Sequence, residues 1–140
     1  MGLILDSSII VAAERRGNSV PQILEQVRAE YGEIEVGLSV VTVAELVHGA
    51  YRAKNDADRS RRLAFIEELC LDVPVYPLTL AIARSIGRME GQQATRGIVL
   101  AFEDLAIGVT ALELGFEVAT LNVRHFRMIP GLTLASRTCP

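Results

Sequence analysis

Apolar positions along the chain follow two rhythms. Short, mainly apolar runs occur at Leu3-Ile4-Leu5, Glu35 to Ser39, Val73-Pro74-Val75-Tyr76 and Glu117 to Leu121. Runs this short, bounded by polar or turn residues, predict strands, and Leu3 to Leu5 reads as a strand buried on both faces. Longer stretches with a three-to-four-residue apolar spacing separate them and predict helices. The first contains Ile9 to Ala13 and should stop near Gly17-Asn18. The second starts after Ser19, with Pro21 in its first turn, and runs to about Tyr31. Thr42 to Lys54 is helical, Asn55 to Asp58 is a break, and Arg59 to Leu71 puts Leu63, Ile66, Leu69 and Cys70 on one face. Thr79 caps a helix through about Gln93, with Ala83, Ile86 and Met89 turned inward. After a loop at Thr95-Arg96-Gly97, a helix containing Asp104 to Leu114 stops at Gly115. Leu132-Thr133-Leu134 is a candidate fifth strand, and the tail beyond it is short and polar.

Strands that alternate with helices predict an α/β fold, with a central parallel sheet of four to five strands flanked by helices. No internal repeat, low-complexity tract or linker interrupts the pattern, so residues 1–140 are expected to form one domain.

Composition narrows this picture. The chain is 50% hydrophobic with a mean hydropathy of +0.31, yet charge breaks every stretch before the ~18 apolar residues of a membrane span. The excess fits a buried parallel sheet and a subunit interface. The net charge of -3 leaves no basic field for nucleic acid, so such a ligand would be held by local arginines. Of 14 Lys and Arg residues only Lys54 is lysine, and arginine suits bidentate phosphate contact. Cys70 and Cys139 are too few for a disulfide framework and match no metal spacing. The start Met-Gly-Leu-Ile-Leu-Asp is neither a signal peptide nor a myristoylation site, so a cytoplasmic protein is expected.

Candidate chemistry lies in three acids set among apolar residues near element ends: Asp6, Glu45 and Asp104. In open parallel sheets ligands gather outside the carboxyl ends of strands, which is where Asp6 stands. Hard cations such as Mg²⁺ or Mn²⁺ take carboxylate oxygens, and Mg²⁺ keeps several waters, so a few carboxylates suffice. Such an ion can hold a phosphate oxygen and help generate hydroxide. Each acid also has a plain structural use. Asp6 could be a helix N-cap, Thr42-x-x-Glu45 is a capping-box pattern, and Asp104 could favour a helix dipole. The three together point to a metal only if the fold makes them converge.

Four segments in order carry a family likeness. They are Leu3-Ile4-Leu5-Asp6-Ser7-Ser8, Leu38 to Gly49 with its Ser39, Thr42 and Glu45-Leu46, Asp104-Leu105-Ala106-Ile107-Gly108-Val109-Thr110-Ala111-Leu112, and Val118 to Phe126 with Thr120-Leu121-Asn122. Together they resemble the PIN-domain ribonucleases, and most closely the VapC-type toxins of bacterial toxin–antitoxin modules. The resemblance implies a PIN fold that brings Asp6, Glu45 and Asp104 into one pocket as ligands of Mg²⁺ or Mn²⁺, directly or through water. It implies endonucleolytic cleavage of RNA. Ser7 or Ser8 would orient Asp6 or a water, and Thr120 and Asn122 would line the pocket, Asn122 as a further catalytic group. It also implies a homodimer, and a cognate antitoxin that neutralises the toxin through a peptide inserting an arginine near the acids, in a heterotetramer or larger assembly.

The chain departs from the family at one place. Many relatives carry a fourth acid where this chain has Asn122 and His125. His125 is expected to pack or hydrogen-bond at the rim, because hard cations prefer oxygen. Glu45-x-x-His48 has the spacing of half a di-iron motif, without a second copy. Glu103 sits ~100° around the helix from Asp104 and is expected to face elsewhere. Arg96 and Arg124 are nearest the expected pocket and are the first candidates for RNA contact. Arg15, Arg16, Arg59, Arg61 and Arg62 could touch phosphate or serve as solvated and ion-paired faces. Two other functions fit less well. A phospho-acceptor receiver domain needs a late lysine, and none follows Lys54. A PIN-like module that binds RNA or protein without cleaving would not need all three acids.

Overall fold

Strand β1 (Gly2–Leu5) is the layer boundary on which both halves of the molecule pack. Side chains alternate across a strand, so Leu3 and Leu5 enter one core while Ile4 enters the other. All three are at most 1% exposed, which is why this run carries no polar residue until Asp6. The computed structural model describes residues 1–135; positions 136–140, with Cys139 and the polar tail, lie outside the described residues.

In chain order the elements are β1, α1 (Ser7–Arg15), α2 (Val20–Tyr31), β2 (Glu35–Ser39), α3 (Val40–Tyr51), α4 (Asp56–Asp72), β3 (Val75–Tyr76), α5 (Leu80–Ala94), α6 (Phe102–Leu114), β4 (Glu117–Ala119) and α7 (Val123–Phe126). The sheet runs β3-β2-β1-β4, and every pairing is parallel, with Ile4 opposite Gly37 on one side and Val118 on the other. Helices α1 to α4 supply the core that takes Leu3 and Leu5, through Ile9, Ile10, Val20, Val27, Leu46, Ile66 and Leu69. Helices α5 to α7 supply the other, through Ile82, Ile86, Leu105, Ile107, Val109 and Phe126.

The winding reverses between β1 and β4. From β1 the chain steps outward to β2 and β3, then crosses back to lay β4 on the far side of β1. Such a switch point opens a crevice at the carboxyl ends of the two strands. Asp6 follows β1 and Thr120 follows β4, so topology alone brings these two residues side by side.

Several local expectations need correction. Helix α3 starts at Val40, not Thr42, because the Ser39 side chain accepts the Val41 amide and caps it. Thr42 is therefore buried inside the helix and forms no capping box with Glu45. Helix α3 ends at Tyr51 rather than Lys54, and α4 starts at Asp56, since Asn55 caps it through the Asp58 amide; the break falls at 52–55 rather than 55–58. Ala83 is exposed, and Ile82 takes the inward place with Ile86 and half-buried Met89. Strand β3 lacks Val73 and Pro74. Strand β4 stops at Ala119 rather than Leu121, because the chain turns there towards α7, a helix the pattern did not reveal. The candidate fifth strand is reduced to one parallel bridge between Val118 and Leu134.

Gly108 in α6 shows how tightly the last segment is laid down. A Cβ there would come within 2.7 Å of Ile129 Cδ1 and 3.3 Å of Leu132 Cδ2. Gly108→Val should therefore lower the unfolding free energy by about 1–3 kcal/mol through overpacking, read from urea unfolding of the two proteins. Equal midpoints would show that the segment after α7 gives way freely.

Candidate active site

Asp6 occupies the N-cap position of α1, yet its side chain makes no capping hydrogen bond. Its carboxylate is used across the sheet instead. Thr120 Oγ1 donates to Asp6 Oδ2 at 2.7 Å, and Ser8 Oγ donates to the same oxygen at 2.7 Å. Both hydroxyls are held in turn. The Leu121 amide donates to Ser8 Oγ at 3.0 Å, and the Asn122 amide donates to Thr120 Oγ1 at 2.9 Å. The Asp6 amide donates to Ala119 O, which continues the ladder between the two strand ends. Asp6 and Thr120 are each 3% exposed. One carboxylate oxygen is thus fixed by two donors, and no hydrogen bond among the described residues is made to the other.

Three more carboxylates share this end of the sheet. Burial raises the Glu45 carboxyl above its ordinary range, and the charges of Asp6, Glu103 and Asp104 raise it further, against a lowering hydrogen bond from Ser7. Burial also raises Asp104, with Asp6 and Glu103 adding to the effect and His125 opposing it. The Oε1 atom of Glu45 is buried without any hydrogen-bond partner. No lysine or arginine is among the groups that shift these two acids. Acidic groups are therefore gathered here, and the exposed His125 Nδ1 lies 3.8 Å from Asp104 Oδ2.

Helix placement explains the gathering. Glu45 lies in the second turn of α3, and Asp104 and Glu103 lie in the first turn of α6. Both helices follow or pack on the sheet so that these turns reach the same crevice. Glu103 is exposed, and its charge reaches Glu45 and Asp104 only through space. Asn122 is exposed and contributes its amide to the network. Arg96 and Arg124 are exposed and enter none of the interactions with the acids; His48 is exposed too, so Glu45 and His48 form no paired motif.

The fit to a divalent cation is specific in kind. Mutual repulsion, an orphaned carboxylate oxygen and a free oxygen on Asp6 all favour a positive charge here. Among the described residues no three acidic, His or Cys side chains stand close enough to enclose an ion unaided. A cation that keeps part of its water shell, as Mg²⁺ does, suits such a spaced set better than one needing a closed cage.

A groove of about 640 Å³ adjoins the acids, lined by Ser7, by acidic Glu14 and Glu45, by apolar Val11, Leu46 and Phe65, and by Arg15, Arg52, Arg61 and Arg62. Arg61 is paired with Asp58 at 2.9 Å, and Arg62 donates to Gly49 O at 3.3 Å. Arg59 pairs with Asp56 and lies over the Tyr51 ring instead.

The pattern of the PIN domain matches residues 3–131. The chain belongs to the PIN-domain family. It is 33% identical over 132 residues to Ribonuclease VapC1 of Rickettsia felis and 30% identical over 132 residues to Ribonuclease VapC of Rickettsia bellii. Each match covers 94% of this chain and 93% of the relative. Its fold is similar to that in VapBC-1 from nontypeable Haemophilus influenzae, with a TM-score of 0.79 at 27% identity, covering 96% of this chain and 97% of that one. It is likewise similar to DNA-bound VapBC from Salmonella typhimurium, with a TM-score of 0.80 at 23% identity over 96% and 97% of the two chains. A PIN domain with this sheet order is not a receiver domain, which removes that alternative. Among the described residues no helix is long and apolar enough to cross a membrane.

The raised carboxyls set a pH dependence. Their folded pKa values lie above the unfolded ones, so ionising them costs stability, and the cost is relieved as pH falls through the raised values. Without divalent metal, Asp104→Asn should melt about 1–3 °C higher than wild type at pH 7, a small shift because the site is partly solvated. The difference should vanish as pH falls towards the ordinary carboxylate range. A variant that melts lower at every pH in chelator would show that the Asp104 charge is already compensated.

Proposed function

We propose that this chain is a divalent-metal-dependent endoribonuclease that acts as the toxin of a toxin–antitoxin pair. The observation that carries the reading is the buried Asp6, pinned by Ser8 and Thr120 beside the raised, partner-poor carboxyls of Glu45 and Asp104. The names of the VapC relatives support RNA as substrate.

Asp6, Glu45 and Asp104 would hold Mg²⁺ or Mn²⁺, in part through water. When bound, the ion supplies neutralisation of the phosphodiester charge and a more acidic water for attack on phosphorus. The chain's own residues do the remaining work. Ser8 and Thr120 fix one oxygen of Asp6, which leaves the other directed by the same two bonds. A hydrogen bond from Ser7 favours the charged form of Glu45. The carboxylates are also groups available to take a proton from water. Asn122 would line the pocket, and Arg96 and Arg124 would contact RNA phosphates from the exposed rim.

The VapBC neighbours support an antitoxin as partner. The groove beside Glu45 fits a segment of that partner: apolar side chains on Val11, Leu46 and Phe65, acidic ones against Arg15 and Arg52, and an arginine towards the acids. A homodimer fits the apolar surface left exposed at Val99 and Phe102, beside Glu103 and Asp104 in the chain.

Purified protein incubated with total RNA and Mn²⁺ should generate discrete new ends that chelator suppresses. Asp6→Asn and Asp104→Asn should each reduce cleavage by about 100-fold or more while the circular dichroism spectrum is kept. Undiminished cleavage by either variant would defeat the assignment, and no cleavage by wild type would favour a binding module. Expression of the wild type alone should slow growth, and Asp104→Asn should restore it; normal growth at high soluble expression would count against the toxin role.

A further inference from the structure

Strand β2 is longer than β3, and only Leu38 and Ser39 are paired with it on the outer side. In a parallel ladder successive residues turn their backbone groups to alternate sides. The Leu38 amide donates outward to Pro74 O at 2.9 Å. Val36, two residues earlier, therefore presents its own N–H and C=O on that outer side. Pro74 has no N–H to offer its carbonyl, and the Val73 amide is bonded to Leu69 O. Among the described residues no backbone group meets Val36 there. A free donor and acceptor on one half-buried strand residue make an open rung of the ladder.

The rung faces a groove of about 380 Å³ at the amino end of the sheet, the end opposite Asp6. Leu24, Val27, Ile34 and Val73 give the groove apolar walls, and Arg28, Glu33, Glu35 and Asp72 give it a charged rim. Arg28 is taken up by Glu33 at 3.2 Å. Glu35 and Asp72 are exposed and make no ion pair among the described residues, so the rim carries uncompensated negative charge. The groove shares no residue with the one beside Glu45.

We propose that this groove docks an extended segment of a protein partner in which apolar side chains alternate with Lys or Arg. The segment adds a strand residue against Val36, sets its apolar side chains on the groove walls and turns its basic ones to Glu35 and Asp72. Main-chain pairing of this kind supplies affinity, and the alternate side chains with the charged rim supply specificity.

The test is a titration of ¹⁵N-labelled whole protein with a capped Lys-Val-Lys-Val-Lys peptide. The Val36 amide should shift, and its hydrogen exchange should slow about tenfold at saturation. Glu35→Gln combined with Asp72→Asn, both at exposed positions, should weaken binding about five- to tenfold. The peptide with Glu in place of Lys, and the peptide N-methylated throughout, should not bind. Binding that survives N-methylation would show that charge alone acts, and shifts confined to the residues around Asp6, Glu45 and Asp104 would place the peptide at the acidic crevice. Either result, or no binding by the wild type, would overturn the docking site and leave the nuclease reading untouched.

Discussion

The hydrogen-bonded carboxylate of Asp6 is the junction of this molecule. It closes the gap between β1 and β4, the two strands at which the sheet reverses its winding, and it does so with a charge rather than an apolar contact. Burying a carboxylate at 3% exposure is costly unless donors meet it. Here Ser8 and Thr120 both meet the same oxygen. The result is an anchored acid with one free side, at the point in the fold where ligands collect.

Around that junction the chain gathers charge of one sign. Glu45 and Asp104 come from two helices, and the charges of Asp6 and Glu103 raise the proton affinity of both. A structural ion pair would have ended this conflict with an arginine, and the chain has thirteen arginines with which to do so. Arg15, Arg52, Arg61 and Arg62 instead line the neighbouring groove, together with Glu14 and Glu45.

The rest of the fold serves to hold these parts steady. Two separate apolar cores, one on each sheet face, fix the strand ends from both sides. Small residues let the layers approach: Gly37 leaves room for the Tyr76 ring, and Gly108 for Ile129. The short helix α7 ends on buried Phe126, so the exposed His125 is carried by a well-seated neighbour. Gln93 adds a polar tie, its amide donating to Met128 O just beyond that helix.

Much of this was readable in the residues. The unbroken Leu3-Ile4-Leu5 run announced a strand buried on both faces, and the alternation of strands and helices announced the parallel sheet. Asp6, Glu45 and Asp104 stood out because acids in apolar surroundings need a reason. Helix starts were less legible, since Ser39 competes with nearby Thr42 as a cap and Asn55 reads as part of a break, and only the backbone path settles such contests. Convergence was beyond local pattern altogether. Whether Thr120 reaches Asp6 and how near His125 comes to Asp104 depend on residues some twenty to more than a hundred positions apart. Periodicity fixes which face of an element is apolar, because that is a property of neighbours three or four places away. The distance between two side chains on different elements is set by how the cores close between them, and no local rule contains it.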